Sequence, residues 1–371
     1  MSQSLYIHVP FCRRKCAYCD FYSVPYEEGI ASDYVAAILT EVERLNGPFS
    51  TIYVGGGTPS VLGQGPLLKL LKGLRKFLGR GAEFTLEANP ESVDCEKLKL
   101  CFGEGVNRIS IGVQSLRDRK LAKLGRPHSA RQGRDAVHEA GQAGFKNVGI
   151  DLIYGVWGEG VGEWEEELKE ALELPAQHIS CYFLTYEKPT PLYDKVMGGK
   201  VAPLDDTIVA RMYKLAMDRL NEKGFLHYEV SNFAKDGFES RHNMNYWENG
   251  SYIGLGASAV SYIRGVRTRN IASVEEYIRR VNAGESPVAF QEELAPLERA
   301  RETAAVKIRT QEGIGLEWFQ DRTGYSFLSL EGGSLSHLVS AGLVKHAERK
   351  KRIKLTRKGF LFCDTVSSAF L

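Results

Sequence analysis

The stretch HVPFCRRKCAYCDFYS, residues 8–23, sets Cys12, Cys16 and Cys19 in the spacing C-x3-C-x2-C directly after a first apolar run. Three thiolates on so short a loop can converge on a single iron–sulfur cluster, one to each of three irons. They cannot supply the four protein ligands of a closed structural zinc or of an ordinary electron-transfer cluster. The remaining cysteines, Cys95, Cys101, Cys181 and Cys363, lie far off in the sequence. Three-cysteine ligation leaves one iron open to a molecule that chelates through an amine and a carboxylate. The competing reading is a zinc knuckle completed by His8 or Asp20.

Outward from this loop, short apolar or β-branched runs alternate with amphipathic helical patterns. LYIHV precedes DYVAAILTEVERLN, TIYVGGG precedes PLLKLLKGLRKFL, and EFTLEANP precedes VDCEKLKLCFGEG. RISIGVQS, NVGIDLIYGV and HISCYFLTY each lead into helical stretches in the same way. Six strand-then-helix units call for a parallel sheet with helices packed outside it, either open and doubly wound or a barrel, with ligands at the carboxyl ends of the strands. After about residue 225, HYEVSNFAK and SYIGLGASAVSYIRGVRTRN read as further strands. The chain then divides into 1–225, an added strand and helix segment over 226–290, and a small helical domain over 291–371 that ends in a basic hairpin.

Composition narrows the function classes. The 371 residues include 48 basic and 46 acidic side chains, a formal net charge of +2, so no global field selects a nucleic acid. There is no charged leader followed by an apolar run, and nowhere about 18 consecutive apolar residues. An odd and scattered set of seven cysteines suits a reducing compartment better than a disulfide framework, and a cytoplasmic location is expected.

The motifs YIHVPFCRRKCAYCDFYS, YVGGGTPS, TLEANPES, NRISIGVQS, LGRPHS, GIDLIYG, YEVSNFAK and HNMNYW follow one another in an order and at spacings that resemble the radical SAM proteins of the oxygen-independent coproporphyrinogen III dehydrogenase family. The likeness runs over essentially the whole chain and is greatest to the HemW heme-chaperone branch. It implies a partial (β/α)6 radical SAM barrel carrying a winged-helix-like C-terminal domain. A [4Fe–4S] cluster would sit on Cys12, Cys16 and Cys19 at the barrel top. It assigns Tyr6, Gly56, Gly57, Thr58, Glu87, Gln114, Arg126 and Asp151 to S-adenosylmethionine (SAM). Physically, the glycines of GGGTP would let backbone approach a ligand and offer amides to its charged end. The polar side chains at strand ends face a barrel mouth. In such proteins a reduced cluster cleaves the SAM sulfonium by one electron, and the protein contributes position, electrostatics and exclusion of water.

Two departures favour the chaperone branch over the dehydrogenases: Phe21 stands where the latter carry a further cysteine, and the cluster motif begins as early as residue 12. The branch implies binding of heme and its delivery to acceptor hemoproteins, with an electron donor for the cluster. His242 in HNMNYW is the candidate heme ligand, with Tyr246 and Trp247 to cover a porphyrin face. Val260 stands where that branch usually has a histidine. The alternative function is an oxygen-independent coproporphyrinogen III oxidase of porphyrin biosynthesis. The basic stretch KHAERKKRIKLTRKG reads as a docking surface for a partner protein or, at the periphery of a membrane, for anionic lipid.

Overall fold

The apolar runs form the expected parallel strands, and they do so in chain order. The computed structural model describes residues 3–347 and 351–371. Strands β1 (Gln3–Val9), β2 (Phe49–Gly56), β3 (Leu78–Ala88), β4 (Arg108–Gln114), β5 (Val148–Tyr154) and β6 (His178–Phe183) lie side by side, each parallel to the next. Helices cover their outer face, among them Glu28–Val42, Gln64–Arg75, Ala130–Gln142, Val161–Leu172 and Asp206–Glu222.

The sheet continues past both edges of these six units. Strands β7 (Leu226–His227) and β8 (Asn232–Ala234) add antiparallel pairing at the β6 edge. At the other edge β9 (Tyr252–Leu255) runs parallel to β1, followed by antiparallel β10 (Val260–Ile263), β11 (Val266–Asn270) and β12 (Val288–Glu293). The whole order is β12-β11-β10-β9-β1-β2-β3-β4-β5-β6-β8-β7.

Side chains alternate across a strand, so each strand has two duties. Leu5, Ile7, Ile52, Val54, Phe84, Leu86, Ile109, Ile111, Ile150, Leu152 and Ile179 are buried in the apolar layer under the helices. The residues between them, including Tyr6, Thr51, Tyr53, Glu83, Glu87, Arg108, Ser110, Asp151 and Ser180, give the barrel a polar interior.

Helices Pro296–Lys307, Leu316–Thr323 and Phe327–Ser340 pack with a three-stranded antiparallel sheet, Ile314–Gly315, Arg352–Leu355 and Val344–Ala347, in the winged-helix-like arrangement. The tip of the basic stretch, residues 348–350, lies outside the described residues. Three of its flanking cations are in ion pairs: Lys351 with Glu317, Arg352 with Glu312, and Arg357 with Asp218 on a barrel helix, each at 2.7 Å. Among the described residues no helix is long and apolar enough to cross a membrane.

Candidate functional site

The cysteine loop springs from the carboxyl end of β1 and is pinned at its base. Phe11–Cys12 pairs with Val24–Pro25, and the Tyr26 amide donates to the Cys12 carbonyl at 3.0 Å. Cys12, Cys16 and Cys19 all line one cavity of about 900 Å³ at the mouth of the barrel. The Arg126 guanidinium donates to Cys16 Sγ at 3.4 Å, and Thr58 Oγ1 lies 3.4 Å from Cys12 Sγ. Burial raises the Cys12 thiol above its ordinary range and pushes Cys19 up to about 11, with the neighbouring thiols adding to both. Thiolates in this setting need positive charge beside them. Arg126 supplies one such charge, and an iron–sulfur cluster held by the loop would supply the rest. His8 is committed elsewhere: Nδ1 meets the Tyr6 hydroxyl at 3.0 Å and Nε2 the Tyr22 carbonyl at 3.2 Å, which leaves no ring nitrogen for a zinc knuckle.

Gly56, Gly57, Thr58, Glu87, Gln114, Arg126 and Asp151 line the same cavity. The glycines serve a purpose other than the one read from sequence. The Gly56 amide donates to Glu87 Oε2 at 3.0 Å, the Gly57 amide to the Val9 carbonyl at 2.9 Å, and the Thr58 amide to the Phe11 carbonyl at 2.8 Å. These amides bind the protein itself, so they are not on offer to a ligand. A Cβ on Gly57 would sit 2.8 Å from the Phe11 carbonyl oxygen, and Gly56 holds φ +112°. Glycine is needed because the strand end packs against the backbone of the cysteine loop.

Glu87 Oε1 accepts from the Tyr53 hydroxyl at 2.6 Å. Burial pushes its carboxyl up to about 7 against the pull of Tyr53, and nearby Asp151 adds to the rise. Asp151, itself raised by burial, faces Ser110 Oγ at 3.4 Å. Arg126 Nη2 donates to Asn89 Oδ1 at 2.7 Å and to the Gly112 carbonyl at 3.1 Å. A side chain on Gly112 would collide with Asn89 and with Gln114, which itself stands in the left-handed region at φ 61°.

Tyr6 and His242 are not in the cavity wall. Tyr6 packs inside the barrel against Tyr53, with ring centroids 6.1 Å apart. His242 is 1% exposed and has both ring nitrogens engaged: Nδ1 with Thr51 Oγ1 at 2.8 Å and Nε2 with the Tyr246 hydroxyl at 2.8 Å. Burial lowers its pKa to about 3. The Glu83 carboxylate accepts the Arg241 and His242 amides at 3.1 Å each and fixes the start of helix Arg241–Trp247. In this fold the expected heme ligand is therefore an interior prop with no nitrogen free for iron. Tyr246 and Trp247 line a separate cavity of about 220 Å³ together with Tyr252 and Tyr262. Val260 lies in β10, opposite Arg269.

Sequence reasoning missed three groups. Asn89, inside the quoted TLEANPES, links Thr58 Oγ1 at 2.9 Å to Arg126. Tyr53 positions Glu87 from two residues before the glycines. The wall of the same cavity also includes Tyr182, Phe183 and Tyr213 of the barrel with Arg309, Phe360 and Phe362 from the C-terminal region. No local motif marks this last group, since distant segments meet there.

Known proteins match this architecture along the chain. Residues 6–198 match the radical SAM superfamily and residues 294–362 the HemN C-terminal domain. The heme chaperone HemW of Bacillus subtilis is 34% identical, covering 100% of this chain and 99% of its own length. HemW of Mycobacterium tuberculosis is 36% identical over 99% of this chain and 94% of its own. Among solved structures, coproporphyrinogen III oxidase (HemN) from Escherichia coli, a radical SAM enzyme, superposes with a TM-score of 0.84 at 21% identity, over 100% of this chain and 90% of that one. The cysteine loop, the parallel half-barrel and the full-length identities lead to one assignment: the chain belongs to the radical SAM superfamily and, within it, to the HemW family.

Proposed function

We propose that the chain is a heme chaperone that holds a [4Fe–4S] cluster and SAM at the barrel mouth, binds heme, and passes it to acceptor hemoproteins. The observation that carries this reading is the 34% identity to a protein named heme chaperone HemW across the whole of both chains. A cavity of about 900 Å³ with aromatic walls beside the cysteine loop supports it.

Cys12, Cys16 and Cys19 hold the cluster, and Arg126 stabilises the Cys16 thiolate by a charge-assisted hydrogen bond. Glu87, Gln114, Arg126 and Asp151 hold SAM over a floor that Gly56, Gly57 and Thr58 shape without offering their amides, with Tyr53 fixing the Glu87 carboxylate and Asn89 fixing Arg126. Tyr6 acts from beneath by orienting His8 and the base of the loop. One-electron cleavage of the sulfonium is the chemistry that cluster and SAM supply together when bound and reduced. Use of His242 as an axial ligand requires one ring nitrogen to be freed, Nδ1 from Thr51 or Nε2 from Tyr246. An external electron donor completes the system.

The test is an anaerobic titration of cluster-reconstituted protein with hemin, alongside incubation with SAM, reductant and coproporphyrinogen III. A saturable Soret band with no protoporphyrinogen IX is expected. Conversion of coproporphyrinogen III with release of carbon dioxide would replace the chaperone reading by the oxidase.

A further inference from the structure

We infer that Arg309, contributed by the C-terminal region, binds a carboxylate of the ligand held in the main cavity. This rests on the heme reading above and adds the residue that recognises the acidic edge of the tetrapyrrole.

Arg309 lines the cavity, and its Nε is buried without a hydrogen-bond partner among the described residues. The guanidinium carbon lies 5.6 Å from the centre of the Trp247 ring, and a single Nη1 contact, 2.7 Å to Asp364 Oδ1, restrains the group. Asp364 is 89% exposed, so that pair is screened and easily displaced. The position is set from behind by Thr310, whose backbone bridges that of fully buried Glu229.

A guanidinium with unspent donors and one displaceable partner is suited to a planar carboxylate, which takes two parallel hydrogen bonds from it. The other cations of the cavity wall are Arg14 and Lys15, exposed on the cysteine loop, and Arg126, already spent on Asn89, Gly112 and Cys16. The same cavity is lined by aromatic side chains that are open for their size: Phe183 is 39% exposed and Phe362 47%. Exposed aromatic side chains together with a cation from the C-terminal region fit a large flat ligand that carries acidic groups on one side, as the two propionates of heme do.

The experiment compares hemin with its dimethyl ester, which keeps the ring and iron but loses both carboxylates. Wild-type protein, Arg309→Met and Asp364→Asn are each titrated anaerobically, with SAM affinity measured in parallel. Arg309→Met is expected to weaken hemin by about tenfold or more, as the loss of a charged hydrogen-bond pair does, and to leave the ester unchanged. Asp364→Asn removes the exposed acid that lines the same cavity and pairs with Arg309. It should tighten hemin a few-fold, again with no effect on the ester. SAM affinity should hold in both. Equal weakening of hemin and ester in Arg309→Met, or no change in either variant, overturns the assignment and leaves the heme reading standing. Wild-type protein that binds neither porphyrin overturns the heme reading and this assignment with it.

Discussion

His242 shows how one side chain changes meaning between a motif and a fold. With two hydrogen bonds and rings from Tyr53 and Tyr246 at 5.0 and 4.9 Å, it fills the barrel interior as a neutral imidazole. Its pKa falls from about 6.5 in the unfolded chain to about 3 in the fold. Between those values the unfolded chain takes up a proton that the native state cannot. The stabilisation from the neutral ring is therefore complete above pH 6.5 and is lost as pH falls toward 3. Glu87 and Glu229, both raised to about 7, act with the opposite sign and lose their contribution as pH rises through 7. The wild-type curve sums these terms, so a difference is the better probe. For His242→Gln, the gap in unfolding free energy from wild type should narrow by about 2 kcal/mol between pH 7 and pH 5, read by chemical denaturation of the cluster-free protein. A gap that stays constant over that range would mean that the ring is not held neutral.

At the scale of elements, the cysteine loop acts as one unit, and Arg126 reaches it from beyond the end of β4. Replacing Cys12, Cys16 or Cys19 by alanine should abolish iron and labile sulfide after anaerobic reconstitution, whereas Cys95, Cys101 and Cys363 should be replaceable with iron retained. Arg126→Met should also keep its iron. Its cluster midpoint should move to more negative potential, because the cation and the hydrogen bond to Cys16 favour the reduced, more negative state. An unmoved midpoint would deny Arg126 that role. Much at this scale was legible in advance. The six strand-helix units announced themselves by a change of apolar period, and the three cysteines by spacing. Less legible was anything that depends on which elements meet. The parallel pairing of β9 with β1 joins residues about 250 positions apart, and no local pattern records it. The amides of Gly56, Gly57 and Thr58 looked free in sequence and are spent on Glu87 and the cysteine loop. Cys181, far from the cysteine loop in sequence, is buried and part of the same cavity wall.

Across the whole molecule, one apolar core runs from the barrel into the C-terminal region. Leu5, Ile52 and Ile150 belong to the same contiguous buried cluster as Ala304, Ile308, Phe319 and Phe370. Further ties cross the junction beside it: the Glu229–Thr310 backbone bridge, the Arg357–Asp218 ion pair, and the ring contact of His227 with Phe360 at 4.6 Å. The small C-terminal unit also walls the cavity through Arg309 and Phe362, so its attachment completes that cavity. Two bodies that share a core lose stability together when either is opened, since exposed apolar area costs roughly 25 cal/mol per Å². Cluster-free protein should therefore unfold in a single calorimetric transition, with matching van 't Hoff and calorimetric enthalpies. A chain ending before Pro296 should melt at lower temperature and bind an apolar dye at the uncovered face of the barrel. Two well-separated transitions in the intact chain, with the first matching loss of the C-terminal helices, would mean that the junction is a hinge between independent domains and that the cavity opens without unfolding the barrel.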